Sequence, residues 1–344
     1  MNGSSGSQIK QYLRAGSKNT NTSSSRQKLF ITDIHAHGNP TLLSAGELLK
    51  RHGLSRFENA RTIEDADIVL YLENGYLGLA DLPGLLRRVR AAPSAMHFIF
   101  SESDWPFPVL PGAYPSLSKP CPWGHSWSFL PSFDLPRSEA TVSDAEPEFL
   151  FSFLGRIATH PVRRRMIRTL DSASTPCLDV ADGPKRFPCF DYSKTYAQLV
   201  RRSRFILCPR GIGASSIRIF EAMSFGRVPV IISDAWQPCP GIPWQEFSVV
   251  IPERNVSDIP VVLEKLESKA QPMGQSARQV FDAHFAPSIF IDRLLTTLIS
   301  KYANFPFTSE AICWRAWRAA GWREIRAVCH QTRSWTVDRL STRR

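Results

Sequence analysis

The segment with the clearest chemical signature runs from residue 205 to residue 234. Gly211 and Gly213 follow an apolar, strand-like run, and Ser215 and Ser216 precede a stretch with helical spacing. Glycine allows a tight turn and a close approach of the backbone to a ligand, and serine is favoured at helix N-termini. The free amides at such a terminus favour an anion. The pattern predicts a strand, a glycine loop and a helix that together hold an anionic group.

Charged side chains in the same segment strengthen that prediction. Arg210 and Arg218 would supply guanidinium groups, which suit phosphate better than an ammonium does. Glu221 lies three residues after Arg218, on the same helix face, where a carboxylate could accept two ribose hydroxyls. Asp234 follows the next apolar strand, at the end of the sheet where open α/β folds bind ligands. The spacing is neither a Walker A motif nor G-x-G-x-x-G. The residues alone therefore predict an anion or nucleotide site without a reaction, and a plain βαβ unit with a surface salt bridge is the alternative.

The elements that must position this segment alternate along the chain. Apolar runs predict strands at 29–34, 66–72, 97–100, 149–154, 205–208, 228–232 and 247–251. Helical patterns fall at 44–52, 82–90, 162–170, 192–201, 215–225, 261–269 and 276–285. Such alternation is typical of α/β folds with mainly parallel sheets. Residues 104–136 contain eight prolines, which predict an ordered surface loop without regular helix or central strand.

Composition bounds the class of protein. The 344 residues suit two domains, and 43% hydrophobic residues are enough to form real cores. The net charge of +11 favours partners that carry phosphate, whether nucleotide, membrane surface or nucleic acid. Seven cysteines without a C-x-x-C pair favour reduced thiols over a disulfide framework or zinc ribbon. We expect residues 1–26 to form a flexible tail, and no apolar run is long enough for a transmembrane helix.

A family resemblance rests on the same segment. The order Cys-Pro-Arg-Gly at 208–211, Ser-x-Arg-x-Phe-Glu-Ala-Met at 216–223 and Gly-x-x-Pro-Val-Ile-Ile-x-Asp at 226–234 resembles the signature of the exostosin-type (family 47) glycosyltransferases. The likeness continues through Trp244 to Glu253. Upstream, Phe-Ser-Phe-Leu-Gly-Arg at 151–156 resembles the opening of the same donor domain. The resemblance covers roughly residues 60–255.

This resemblance implies a GT-B architecture, in which two Rossmann-like domains face each other across a cleft. It implies an inverting transfer from a nucleotide sugar, usually a UDP-sugar, without an obligatory metal or other cofactor. Glu221 would hold the ribose, and Asp234 and Trp244 would line the base or donor-sugar region. The diphosphate would be held by the glycine loop and nearby side chains, namely Arg156, Arg210, Gly211, Gly213, Ser215, Ser216 and Arg218. Without a metal, cations and helix amides must neutralise the departing nucleotide.

An inverting transferase also needs a general base for the acceptor hydroxyl. We expect it from the N-terminal domain, and the candidates are Asp104, Glu102 and His37, with His35 beside them. Asp104 is favoured because it follows a strand and opens the proline-rich loop, although Ser-Asp before Trp-Pro is also ordinary turn chemistry. The loop tryptophans at 105, 123 and 127 could stack on an acceptor sugar or simply anchor the loop.

Two other functions compete with the transferase. Asp33, His35 and His37 resemble the opening of metal-dependent hydrolases with a barrel fold, since alternation on a strand puts both histidines on one face. Those enzymes need further ligands and a longer barrel than the remaining chain provides. A nucleotide- or sugar-binding protein that lacks activity would keep the donor residues without a base.

We therefore expect four segments: a tail at 1–26, an acceptor-side domain at 27–146, a nucleotide-sugar domain at 147–305 and a basic, tryptophan-rich helical tail at 306–344. Residues 311–344 carry eight arginines and four tryptophans. Such a segment could contact a membrane surface or pack back on the first domain. The expected partners are a nucleotide-sugar donor and a glycan or glycoconjugate acceptor, not nucleic acid. The expected location is cytoplasmic, with possible peripheral contact to the inner face of the membrane.

Overall fold

The computed structural model describes residues 26–34, 40–73, 77–129, 146–172, 174–182 and 191–319. A first sheet contains β1 (Gln27–Asp33), β2 (Phe57–Asn59), β3 (Ile68–Glu73), β4 (Met96–Ser101), β5 (Gly112–Ala113) and β6 (Gly124–His125). Its strand order is β2-β1-β3-β4-β5-β6, and every neighbouring pair is parallel.

A second parallel sheet follows in the chain. It contains β7 (Phe149–Gly155), β8 (Cys177–Asp179), β9 (Ser203–Pro209), β10 (Val228–Ile232) and β11 (Val249–Ile251). The order is β11-β10-β9-β7-β8. Counted within each sheet, the second follows the doubly wound order 2-1-3-4-5 and the first follows 2-1-3-4-5-6. In such sheets a ligand binds where the strand order reverses. The two sheets form the pair of Rossmann-like domains of the GT-B architecture, as predicted.

Helices cover the sheets. They are α1 (Pro40–His52), α2 (Leu82–Ala91), α3 (Pro161–Leu170), α4 (Tyr192–Arg201), α5 (Ile217–Ser224), α6 (Ile259–Glu264), α7 (Ala270–His284), α8 (Phe290–Tyr302) and α9 (residues 309–319). One face of the second sheet packs on α3 and α6 through a core that includes Met166 and Leu263. The other face packs on α4, α5 and α7. Both faces are covered, which explains why β9 and β10 are apolar without alternation.

The hydrophobic core continues from one domain to the other. Phe100 of β4 makes an edge contact with Phe290 of α8 at 5.7 Å between ring centroids. Asp292 of α8 accepts hydrogen bonds from the Ser55 backbone amide at 2.9 Å and from its hydroxyl at 2.6 Å. Helix α8 therefore ties the second domain to the first.

Helix α9 packs back on the first domain. Ile312, Ala316 and Ala319 lie in the core beneath the first sheet, together with residues of α2. Arg315 is 2% exposed and donates to the Val109 and Pro306 carbonyls. Among the described helices, none has both the length and the apolarity needed to cross a bilayer.

The proline-rich stretch departs from its prediction. It was predicted to be a surface loop without regular helix or central strand, yet β5 and β6 extend the first sheet through two residues each. They fit because the prolines lie outside the paired positions. Gly112 is required there, since a Cβ atom at that position would lie 2.1 Å from the Ile99 carbonyl oxygen.

Candidate active site

A cavity of about 560 Å³ lies where the strand order of the second sheet reverses, at the carboxyl ends of β7 and β9. Glu102, Asp104 and Phe129 of the first domain line one side. Residues of the second domain line the other: Arg156, Thr159, Arg163, Val180, Tyr192, Gly211, Ile212, Ser215, Ser216, Ile217 and Arg218. The cavity is therefore a cleft between the two domains, where GT-B folds and open α/β sheets place ligands.

The glycine loop after β9 contacts the opposite domain directly. The Gly213 amide donates a hydrogen bond to an oxygen of the Asp104 carboxylate at 3.1 Å. A Cβ atom at Gly213 would lie 2.4 Å from the Ser116 hydroxyl oxygen and 2.7 Å from Asp104. Glycine is required at this position because a Cβ atom would clash with both of these side chains of the first domain.

Two serine hydroxyls at the start of α5 make no hydrogen bond to any residue that the structure describes. Ser216 is the N-cap residue by its extended backbone, with φ −137° and ψ 130°, but its side chain makes no capping hydrogen bond. The prediction that Ser215 or Ser216 is the N-cap residue is therefore confirmed for Ser216, although the expected side-chain hydrogen bond is not formed. Both hydroxyl oxygens are buried and, among the described residues, have no hydrogen-bond partner. Both residues line the cavity, but their hydroxyl oxygens are closed to solvent, so a ligand would reach them only after a local rearrangement.

Arg218 is the central cation of the site. It donates to the Leu154 carbonyl at 2.9 Å, to Glu221 at 3.1 Å and to the Tyr192 hydroxyl. Its guanidinium also lies over the Tyr196 ring, 4.8 Å from the centroid. Burial opposes its charge, but Glu221 and then the tyrosines outweigh burial and hold the pKa of Arg218 above its ordinary value. The arginine is thus a fixed positive charge at the floor of the cleft.

Glu221 is buried beside Arg218 rather than lying on the surface. Its side chain is only 10% exposed, and it is not among the residues that line the cavity. The alternative of a surface salt bridge is therefore wrong. A buried pair of this kind is costly to break from either side. The predicted contact between Glu221 and a ribose stays a prediction.

Arg163 joins the site, although the sequence did not mark it as a ligand residue. Its guanidinium donates to three backbone carbonyls, those of Arg210 at 2.9 Å, Arg156 at 3.0 Å and Pro209 at 3.0 Å. Burial, with the nearby charge of Arg218, lowers the pKa of Arg163 to about 10. Arg163 therefore fixes the ends of β7 and β9 relative to each other. Tyr192, which holds Arg218 from α4, was also missed; its only signal is its place at the start of a basic helix.

Arg156 and Arg210 differ in their surroundings. Arg156 is exposed at the cavity wall, and its guanidinium has no hydrogen-bond partner among the described residues. Arg210 lies 3.8 Å from the Glu253 carboxylate, and it donates to the Ile212 carbonyl at 3.2 Å. It is outside the residues lining the cavity. Arg156 is thus the accessible cation.

Asp234 and Trp244 lie outside the cavity lining. The Asp234 carboxylate accepts from the Glu253 amide at 2.9 Å, and the Glu253 carboxylate accepts from the Asp234 amide at 3.2 Å. Trp244 is 6% exposed, its indole N–H donates to the Cys239 carbonyl at 3.1 Å, and it packs edge-on against Trp236. Both residues therefore make contacts within the second domain, and neither lines the cleft. Their predicted contacts with the donor stay predictions.

The candidates for a general base separate into two groups. Asp104 and Glu102 both line the cavity from the first domain. The Asp104 side chain is exposed to the cleft, but protein atoms around its carboxylate remove part of its hydration. Burial raises the pKa of Asp104, while the Gly213 amide and the charges of Arg163 and Arg210 limit the rise. His35 and His37 lie outside the described residues.

The barrel that the hydrolase alternative requires is not formed. The described strands make two open parallel sheets, each with its own helices. Asp33 ends β1, and its backbone carbonyl accepts a hydrogen bond from Arg88 at 2.7 Å. Within the described part of the chain, no three His, Cys, Asp or Glu side chains converge as metal ligands.

Two parallel-sheet domains and an anion-suited cleft at the switch point define a protein of GT-B class. Residues 124–266 match the family model of the exostosin GT47 domain. The match includes the glycine loop, α5 and β10.

Curated relatives are similar to part of the chain. The chain is 31% identical over 113 residues to the Exostosin-1 homolog of Caenorhabditis elegans, covering 32% of this chain and 30% of that protein. It is 35% identical over 91 residues to the probable beta-1,4-xylosyltransferase IRX10 of Arabidopsis thaliana, covering 25% and 22%. The chain thus spans less than a third of these relatives. A crystal structure of a glycosyltransferase from Rickettsia africae has 8% identity and a TM-score of 0.46, covering 82% of this chain and all of that one; such a likeness adds no argument.

Proposed function

We propose that the protein is an inverting glycosyltransferase that moves a sugar from a nucleotide sugar, expected to be a UDP-sugar, to a glycan or glycoconjugate acceptor. One observation carries the proposal. Ser215, Ser216 and Arg218 of the second domain and Asp104 of the first line a single interdomain cavity, and the two serine hydroxyls have no hydrogen-bond partner among the described residues. Cations and donors stand on one side of this cavity, and a carboxylate stands on the other.

The donor diphosphate would lie against the start of α5. Ser215 and Ser216 would donate to phosphate oxygens, the Gly211 to Gly213 loop would offer amides, and Arg156 would reach in from the end of β7. Positive charge preorganised near the leaving group stabilises the transition state, because it needs no rearrangement when the bond breaks. In this proposal the role of a metal is taken by Arg156, Arg218 and the helix terminus.

Asp104 would act as the general base. It lies on the acceptor side, and burial raises the pKa of its carboxyl, which makes the carboxylate a better proton acceptor. The acceptor hydroxyl would lose its proton to Asp104 while its oxygen attacks the anomeric carbon. The bond from that carbon to the diphosphate breaks as the new bond forms, so the configuration inverts.

The first test is a thermal-shift screen with UDP, GDP, CDP and ADP, each with and without EDTA. Because a ligand that binds only the folded state raises apparent stability, we expect one nucleotide to shift the unfolding temperature and EDTA to leave that shift unchanged. Arg156→Gln should reduce the shift without changing the stability of the free protein, since the guanidinium has no hydrogen-bond partner in the described part of the chain. No shift with any nucleotide would contradict the proposal.

Transfer is tested separately from binding. Asp104→Asn should keep nucleotide affinity and lose sugar transfer with a competent acceptor. Transfer at the wild-type rate in this variant would move the base to Glu102 or to the histidines near residue 37. Nucleotide binding by the wild type without any transfer or donor hydrolysis would favour the alternative of a nucleotide-sugar-binding protein.

We also propose a cytoplasmic location with peripheral membrane contact through residues 311–344. The support is the arginine and tryptophan content of that segment and the two exposed tryptophans of its first turns, Trp314 and Trp317.

A further inference from the structure

A second cavity, of about 330 Å³, lies in the first domain between the proline-rich loop and α9. Its walls are the rings of Trp105 and Trp123, four prolines and Leu117, and Arg318 of α9 stands at its edge beside Lys119. The size falls at the lower end of the range for small-molecule sites. No acidic residue is among those that line it.

The second cavity shares its loop with the active site. Trp105 directly follows Asp104, the residue that contacts the glycine loop. Ser118 of the cavity follows two residues after Ser116, which presses on Gly213. A ligand in the second cavity would therefore contact the same loop that carries the proposed base, Asp104.

The lining selects the chemistry of the ligand. A sugar carries several hydroxyls, each of which needs a partner when it is buried. The walls offer few, because prolines have no N–H and the Trp123 indole already donates to the Pro108 carbonyl at 2.8 Å. The Ser118 hydroxyl is buried without a partner among the described residues. The cavity thus suits an apolar chain with one anionic group far better than it suits a sugar ring.

The outer face of α9 indicates where such a ligand would come from. Trp314 is 50% exposed and Trp317 is 75% exposed, and they lie on one face of the helix together with Arg318. The Arg318 guanidinium lies 5.0 Å from the Trp314 ring centroid and 6.0 Å from that of Trp123. Exposed tryptophan beside arginine is typical of a helix at a membrane interface. Arg318 belongs to both this face and the cavity.

We propose that the second cavity binds a lipid phosphate, an alkyl or isoprenyl chain with a terminal phosphate, and that the acceptor is delivered on such a lipid. The chain would lie between Trp105 and Trp123, and Arg318 would pair with the phosphate. The place of this ligand in the reaction rests on the proposed transferase function, whereas its binding does not.

The test is calorimetric titration of the full chain with farnesyl phosphate below its micelle concentration, in the absence of nucleotide. Farnesol, which lacks the phosphate, and inorganic phosphate, which lacks the chain, are titrated separately as controls. We expect farnesyl phosphate to bind at least tenfold more tightly than either control, and chains shortened inside the cavity to lose about fourfold in affinity per buried methylene. An acidic oligosaccharide that binds more tightly than farnesyl phosphate would overturn the proposal.

Three variants locate the site. Arg318→Gln and Trp105→Ala should each weaken farnesyl phosphate at least tenfold. Trp317→Ala is the matched control, since Trp317 is on the same helix but points to solvent; it should leave the affinity unchanged. Equal affinity of the wild type and Arg318→Gln would refute the site, as would a loss with Trp317→Ala alone.

A parallel UDP thermal shift separates this proposal from the proposed function. If Arg318→Gln loses farnesyl phosphate and keeps its nucleotide shift, the second site is independent of the cleft. If the wild type binds farnesyl phosphate but no nucleotide, the proposed transferase fails and the lipid site stands. If the wild type binds nucleotide but not farnesyl phosphate, the lipid site is refuted and the proposed transferase stands.

Discussion

Replacing Ser215 by alanine should separate stability from ligand binding. The Ser215 hydroxyl oxygen is buried and has no partner among the described residues, so the folded protein gains no hydrogen bond from it. A buried polar group left unpaired costs about 1–3 kcal/mol. Ser215→Ala should therefore leave the free protein as stable as the wild type or stabilise it, by about 1 kcal/mol if half of that cost is recovered.

The same substitution should weaken the nucleotide. A hydrogen bond to a charged group contributes about 1.5–3 kcal/mol, which corresponds to about 10- to 150-fold in Kd. We expect the unfolding temperature of the free variant to rise slightly, by about 1–3 °C for a chain of this size. The increment produced by a saturating nucleotide in the wild type should fall in the variant at the same concentration.

The assays are thermal unfolding and calorimetric titration with the nucleotide found in the screen. Ser224→Ala is the matched control, because Ser224 lies at the far end of α5 and its hydroxyl donates to the Glu221 carbonyl at 2.7 Å. That variant should lose stability and keep its nucleotide affinity. If Ser215→Ala instead destabilises the free protein and binds nucleotide as well as the wild type, the hydroxyl is structural and the assignment of the phosphate site is wrong.

Three further predictions concern other parts of the molecule. Because the charge of Arg210 lowers the raised pKa of Asp104, Arg210→Gln should move the acid limb of the rate profile to higher pH; an unmoved limb means that another group titrates. Gly213→Ala should weaken nucleotide binding, since its Cβ would clash with Ser116; unchanged affinity would show that the loop yields. Burial lowers the pKa of His125 to about 3, so protonation favours the unfolded chain, and stability should fall as pH drops from about 6.5 towards 3. The fall should approach about 1.4 kcal/mol per pH unit and be smaller in His125→Gln, as measured by urea unfolding; identical pH profiles would exclude His125 as the cause.

Local pattern predicted most of the long strands and helices of both domains and missed the short strands and one helix. Strands β9 and β10 were recognisable because both faces are buried, which makes every position apolar. Strands β2 and β8 were missed, since three residues at a sheet edge carry little pattern. Helix α8 was also missed, although Ile291, Leu294, Leu295 and Leu298 give it a clear apolar face.

The site shows a different limit. Gly211, Gly213, Ser215, Ser216 and Arg218 are close in sequence, so the segment could be found as a unit. Arg163 and Tyr192 come from α3 and α4, and only the fold brings them to the glycine loop. The sequence located the N-cap at Ser215 or Ser216, but residue type alone could not show that the Ser216 hydroxyl makes no capping hydrogen bond.

The contact between Gly213 and Asp104 has a kinetic consequence. A donor phosphate that takes the Gly213 amide must displace the Asp104 carboxylate from it, which frees that carboxylate to receive an acceptor hydroxyl. The two substrates would then bind in a compulsory order, donor first and acceptor second. In initial-rate experiments the product nucleotide would compete with the donor and act noncompetitively against the acceptor.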